Sequence, residues 1–314
     1  MNELVPFRLE PYFRTRIWGF NDLSPWYDFQ TDGEPIGEVW LTGEMCKAAT
    51  GPHTGLSLTE ITAKLGRGLL GESFGTGEFP LLIKLLFPKE KLSVQVHPDD
   101  ALAQKYGEPR GKTECWYALD AKPGAAVALG IKHGVTADQI RASIENATLE
   151  DLLQMVPVSK GDMLYVDAGT VHAMGPGVVI LETQQTSDRT YRLYDYGRPR
   201  ELHIEKSIEA MRLETHAGKI APQSANGSTI LIDEKYFRIE RWDVVAGDAS
   251  GLVTPTGKVQ MLFVVDGEIE IAAAGAETFT VGRCQLAVIP ADAASVSVTA
   301  PAAASVVRIR PNEV

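Results

Sequence analysis

Short strand-like runs separated by Gly, Pro and Asp recur along this chain and constrain its fold more than any other feature. "EPIGEVWLTGE", "FPLLIKLLF", "KLSVQVHP", "TECWYAL", "DMLYVDAG" and "GVVILETQQ" follow one another, and "YFRIERWDVV", "QMLFVVDGEIEIAA" and "RCQLAVIPA" continue the series near the C-terminus. Many short runs bounded by turn residues build a sandwich or barrel. The expected fold is mainly β, a sandwich or barrel, with helical insertions in the N-terminal part. A length of 314 residues is enough for two such domains. The segment 218–229, "GKIAPQSANGST", reads as a linker or long loop, so the division expected is residues 1–220 and a smaller domain over 230–314. No internal repeat is visible.

Helical period is weaker. It shows briefly in "SLTEITAKLGRGLL" and "DDALAQKYG", and at greatest length in "TADQIRASIENATLEDLLQMV". There Thr136 is the expected N-cap, with Ile140, Ile144, Leu149, Leu152 and Leu153 on the buried face.

A net charge of -11 offers no basic face suited to nucleic acid, although a few Lys and Arg can still make one pocket positive for a small anion. Cys46, Cys115 and Cys284 are far apart and lack CxxC spacing, so they are expected as buried small hydrophobes and not as disulfides or zinc ligands. The N-terminus lacks the apolar core of a signal peptide, and no apolar run reaches the roughly 18 residues that cross a bilayer. A cytoplasmic protein without a membrane partner is expected. All six histidines precede residue 217, so the C-terminal domain is expected to be metal-free.

The chemistry concentrates in "SVQVHPDDALAQKYGEPRGKTECWYAL". Residues two apart in a strand share a face, which pairs Gln95 with His97 and, if 112–118 is extended, Lys112 with Glu114. Pro98 should end the first of these strands. "GDMLYVDAGTVHAMGPG" delivers His172 after a Gly-rich turn. Imidazole, carboxylate and amide together suit a first-row divalent ion at a mixed N/O site that keeps a position open.

Gly161, Asp167, Gly169 and His172 resemble the second motif of the cupins, with Asp where Pro is usual. The first motif is similar too, with Gln95 in the first ligand slot and an insertion between His97 and Glu114. Over most of its length the chain resembles the type I mannose-6-phosphate isomerases, in their short bacterial form, through "YFRTRIWG", "GEVW", "FPLLIKLL", "SVQVHPDD", "GKTECWY", "LETQQTSDRTYRLYDYGR" and "RELHIEKSI". It departs from them in "WGF", ending at Phe20, and in lacking the large helical insert of the long eukaryotic enzymes.

That resemblance implies two cupin-type (jelly-roll) β-barrel domains, with helical insertions in the N-terminal one, and one Zn²⁺ or other divalent ion per chain, held by His97, Glu114 and His172 with Gln95 as a fourth ligand. It implies interconversion of mannose 6-phosphate and fructose 6-phosphate through a cis-enediol(ate), with Arg192 and Lys112 at the active site. Arg192 would hold enediolate oxygens or the phosphate, its bland alternative being a salt bridge to Asp188 or Asp195. Lys112 would shuttle a proton or act as a fixed cation. Ser93, Lys84 and Arg14 are candidate phosphate donors. Another cupin reaction, such as glucose-6-phosphate isomerisation or an Fe(II)-dependent oxidation, and a non-catalytic sugar-phosphate-binding protein are the alternatives.

Overall fold

The computed structural model describes residues 3–75, 77–253 and 256–312. Its strands form four sheets, and every pairing between them is antiparallel among the described residues. In the N-terminal part a seven-stranded sheet runs in the order 218–220, 163–166, 114–121, 178–185, 81–86, 36–40 and 12–20. A five-stranded sheet accompanies it in the order 191–194, 94–96, 172–174, 126–131 and 153–157. The C-terminal part repeats this plan with one sheet of seven strands and one of four.

Burial explains why the strands read as they do. Leu81–Leu86, "LLIKLL", is buried along its whole length, so it shows no polar alternation. Ile83 and Leu85 join a core that also contains Phe237, Ile239, Met261, Phe263, Val307 and Ile309, which packs the two halves of the chain together. Leu86, Trp116, Leu164 and Ile180 fill the interior of the N-terminal half with Val127 and Leu129. Lys84 is therefore an ammonium inside a buried strand. Cys46, Cys115 and Cys284 are free and buried.

The segment expected as a linker is built of strands. Gly218–Ile220 pairs with Met163–Tyr165 on one sheet, and Gln223–Ala225 pairs with Ser228–Ile230 on another. Its polar composition reflects edge strands, not a free loop. One strand crosses the division in the opposite sense: Phe7–Leu9 pairs with Leu286–Val288 of the C-terminal half.

The long helix expected from Thr136 onward is shorter. Thr136 does cap it, in a reciprocal capping box with Gln139, but the helix ends at Glu145. Ala147 turns the chain with φ 57°, Leu149–Leu152 forms a 3₁₀ turn, and Leu153 pairs with Ile131 at the sheet edge. Ile140, Ile144, Leu149 and Leu153 all reach one core, so the apolar pattern recorded burial correctly while the strand pairing overrode the helical period after residue 145. No helix among the described residues is long and apolar enough to cross a membrane.

Candidate active site

Strand register brings the polar residues of the N-terminal half to one place. Glu114 opens the strand Glu114–Ala121, and Trp116, two residues on, lies directly opposite Glu182. Glu182 is in turn opposite Lys84, so these side chains share the inner face of the seven-stranded sheet. In the facing sheet Gln95 sits between His172 and Arg192 on its two neighbouring strands.

Two glycines make the approach close enough. A Cβ on Gly111 would lie 2.5 Å from the Asp99 carbonyl carbon, and Gly111 directly precedes Lys112. Gly169, at φ +90°, donates its N–H to the His97 carbonyl at 2.9 Å and so ties the turn before His172 to the other histidine.

The two imidazoles are oriented by backbone carbonyls. His97 Nδ1–H donates to Arg189 O and His172 Nδ1–H to Thr170 O, both at 2.9 Å. A carbonyl can only accept, so each Nε2 presents a lone pair. His97 Nε2 lies 3.6 Å from Glu114 Oε2, and His172 Nε2 lies 3.3 Å from Glu114 Oε1. Burial, with Lys112 and the neighbouring His172, holds the His97 imidazole well below its ordinary pKa. Burial similarly lowers that of His172, to about 4. Two imidazole acceptors and two carboxylate oxygens thus converge. His97 Nε2 and both Glu114 oxygens have no hydrogen-bond partner among the described residues, a costly arrangement unless a cation occupies the space. The three residues are the one such cluster found among the described residues, with ligand atoms within 4.8 Å of one another.

Beside this cluster lies a cavity of about 390 Å³. Gln95 and Lys112 form its boundary with the cluster: Gln95 Nε2 donates to His172 Nε2 at 3.2 Å, and Lys112 Nζ is 3.1 Å from Glu114 Oε2. Ser93, Lys84 and Arg192 also line it. Arg14 does not: it pairs with Asp188 at 3.2 Å and lies over Trp40, with 4.4 Å from guanidinium to ring centre. Asp195 is taken by Arg198 and Arg200, so neither acidic partner expected for Arg192 is bound to it. Arg192 instead donates Nη1–H to Glu201 O at 2.8 Å.

Several lining residues were not singled out from the sequence. Glu182 is the most consequential. It is buried, its Oε1 is 3.1 Å from Lys84 Nζ and 4.0 Å from Lys112 Nζ, and its Oε2 accepts from Trp116 Nε1 at 3.2 Å. Burial and the Glu114 charge raise its pKa above the ordinary carboxylate value. Glu38 behaves in the opposite way: although burial opposes ionisation, Lys84, Arg16 and the Trp40 N–H hold it down to about 2. Lys84 is likewise kept charged against burial by Glu182 and Glu38. Arg16, Arg189, Arg200 and His203 complete a lining in which cations outnumber carboxylates. The signal for Glu182 was present in its two-residue spacing from Gln184 and from Ile180, but only strand register tells which face of 178–185 meets Lys84.

The C-terminal half braces this site. Asp100 Oδ1 accepts from Gly111 N–H at 2.8 Å and from Gln185 at 3.0 Å, while Oδ2 accepts from the Tyr236 hydroxyl at 2.7 Å. Gln185 Oε1 also accepts from Thr113 N–H at 2.9 Å, so the contact flanks Lys112 on both sides. Tyr236→Phe is expected to cost about 1–3 kcal/mol of stability, as loss of a hydrogen bond to a charged group does, and to lower kcat more than it raises KM. Denaturant melts and steady-state kinetics check this; unchanged kcat would show that the bracing does not reach Lys112.

A family model described as the catalytic domain of type I phosphomannose isomerase matches residues 6–137. The mannose-6-phosphate isomerase of Streptococcus mutans is 37% identical over 252 residues, covering 76% of this chain and 79% of that one. The mannose-6-phosphate isomerase ManA of Bacillus subtilis is 36% identical over 278 residues, covering 84% and 86%. The crystal structure of the mannose 6-phosphate isomerase from Bacillus subtilis superposes with a TM-score of 0.84 at 31% identity, over 97% of this chain and 99% of that one. The fold extends to a putative mannosephosphate isomerase from Archaeoglobus fulgidus, at a TM-score of 0.78 and 21% identity over 98% of each chain.

Proposed function

The chain belongs to the type I phosphomannose isomerases, metal-dependent cupins that interconvert mannose 6-phosphate and fructose 6-phosphate, and from that premise we propose how its residues divide the work. The observation that carries the assignment is the convergence of two imidazole lone pairs and the two oxygens of a buried carboxylate on one point beside a cationic cavity. His97, Glu114 and His172 would hold the metal, with Gln95, whose amide meets His172, as the fourth ligand. Zinc suits this donor set, since two His and one Glu with a further position open is a common catalytic arrangement for it. A divalent ion held there supplies a Lewis acid that stabilises negative charge developing on the sugar's carbonyl oxygen.

The remaining steps fall to the chain itself. Glu182 takes the proton from C2 of the open-chain aldose and returns it to C1 of the cis-enediol(ate); its burial in the cavity and raised pKa suit a base working near neutral pH. Lys112, between Glu114 and Glu182, carries the proton that the C2 hydroxyl gives up to the C1 oxygen. Lys84 stays charged and orients Glu182. Arg192, without a carboxylate partner of its own, binds the phosphate or the enediolate oxygens, and Ser93 adds a hydroxyl donor. The surplus of cations suits a phosphorylated sugar as the partner of the site. We assign the catalytic unit to residues 1–220 and a supporting, metal-free unit to 230–314, with Phe7–Leu9 lent to the second unit's sheet.

The test is a coupled assay for fructose 6-phosphate formed from mannose 6-phosphate by metal-stripped protein, with and without added Zn²⁺. Activity should appear with the metal and be absent without it. Folded, metal-bound protein that leaves mannose 6-phosphate unchanged would overturn the reading.

A further inference from the structure

The chain between His97 and Lys112 is fastened to the segment 189–212 by ion pairs outside the metal cluster. Asp99 pairs with Arg212 at 2.5 Å, Glu209 takes both Lys105, at 2.5 Å, and the Tyr106 hydroxyl, and Glu108 pairs with Arg189. The last pair differs from the others, because Arg189 also lines the substrate cavity and Glu108 does not. The backbone of Arg189 is fixed: its carbonyl accepts from His97 Nδ1–H at 2.9 Å, and its N–H donates to Ser187 Oγ at 3.3 Å. Its side chain is half exposed, so the guanidinium can exchange Glu108 for a ligand without moving the metal cluster. Burial, and then the charges of Arg192, Lys206 and Arg189, lower the pKa of the His203 imidazole against Glu201, so the Arg189 charge already acts on a neighbouring lining residue.

The other arginines of the cavity are placed differently. Arg16 and Arg200 are held by Glu38 and Asp195, both buried carboxylates, and drawing either arginine away weakens the compensation of a buried charge. Arg192 donates to a backbone carbonyl, that of Glu201. Arg189 stands between these cases: its partner is a partly exposed carboxylate, and water and salt weaken such a pair. With a phosphorylated sugar in this cavity, as proposed above, we infer that Glu108 tunes its affinity by competing with the phosphate for Arg189. A guanidinium edge engages a carboxylate or a phosphate, not both at once. The phosphate is remote from C1 and C2, so its contact with Arg189 is the same in the aldose, the ketose and the transition state between them. Uniform binding of that kind moves KM and leaves kcat alone. Glu108 is thus an affinity-setting residue and not a catalytic one, and Asp99 and Glu209 fasten the segment without it.

Steady-state kinetics of the full-length, metal-loaded protein, in both directions of the reaction, test this. Glu108→Gln should lower KM for mannose 6-phosphate and for fructose 6-phosphate by the same factor, about two- to fivefold, as for release of one exposed ion pair. Its kcat should stay within about twofold of the parent's. Arg189→Gln should raise both KM values by about tenfold, and Glu108→Gln added to it should change them no further. A purely fastening role gives Glu108→Gln a raised KM, or lowered stability with KM unmoved, and either result overturns the proposal. So does an equal fall in KM in the Arg189→Gln background, since that is the general effect of removing one negative charge. Calorimetric titration with inorganic phosphate separates the proposal from the functional reading on which it rests. A Kd that tightens in Glu108→Gln, and not in the double variant, upholds it even where mannose 6-phosphate is not turned over. An active enzyme whose KM and Kd both stay unchanged overturns it alone, and an inactive one whose Kd stays unchanged overturns both.

Discussion

Glu114→Ala is expected to abolish both metal binding and turnover. The carboxylate is nearly inaccessible, at 1% exposure, and it is the only acidic member of the cluster that gathers His97 and His172. Without it two neutral imidazoles remain, while Lys112 loses the carboxylate 3.1 Å away. Loss of a residue that merely orients a ligand typically costs 10–100-fold in metal affinity or activity, so loss of a ligand that carries the charge should exceed about 100-fold. Bound metal per chain, from elemental analysis after dialysis, and kcat in the coupled assay should fall together. Full metal content with lost activity would move Glu114 from metal holding to another role. Retained activity would remove the cluster from the mechanism altogether. Glu114→Asp distinguishes folding from chemistry, since it keeps the charge but withdraws the oxygens by one methylene.

Glu182→Gln should lower kcat by roughly 10²–10⁴-fold, the usual range for a general base, with little change in KM. The amide keeps the shape, and Lys84 retains Glu38 as a stabilising charge, so the protein should still fold. The pH profile gives the sharper readout. A base must be deprotonated to work, so the parent's kcat falls as pH drops through the raised pKa of Glu182, and rises to a plateau above it. That acid limb should vanish in the variant's residual activity. A limb that persists unchanged would assign the proton transfer to another group, with Lys112 the next residue to replace.

The residues of the candidate metal cluster were legible because each stands in a short local pattern. "VQVHP" sets Gln95 and His97 two apart in a strand, and Pro98 ends it: the strand stops at Val96, and Asp99 caps the following helix. His172 was legible from its Gly-rich turn. Arg14 was placed among the candidate phosphate donors, but a bulge after Arg14 shifts the strand register, and Arg16 is the one that reaches Glu38 and the cavity. A one-residue shift of that kind changes which side chains face inward and leaves composition untouched. Glu182 was missed for a related reason: in a strand buried on both faces, the apolar pattern does not reveal which face is the site.

What the sequence by itself determined is local: strands bounded by turn residues, a capped helix start at Thr136, an acidic protein without thiolate metal spacing, and two histidines and a glutamate in ligand-bearing motifs. Only the tertiary structure decided which carboxylate faces Lys84, which arginine lacks an acidic partner, and where the helix after Thr136 gives way to a strand. The physical reason is that side-chain direction in a strand has period two and is readable along one chain, whereas register between strands far apart in sequence depends on packing across the sheets. Electrostatics follows register. Burial and the Glu114 charge raise the pKa of Glu182 against the pull of Lys84, whereas Lys84 and Arg16 overcome burial to lower that of Glu38, and both depend on cross-strand neighbours that no local pattern names.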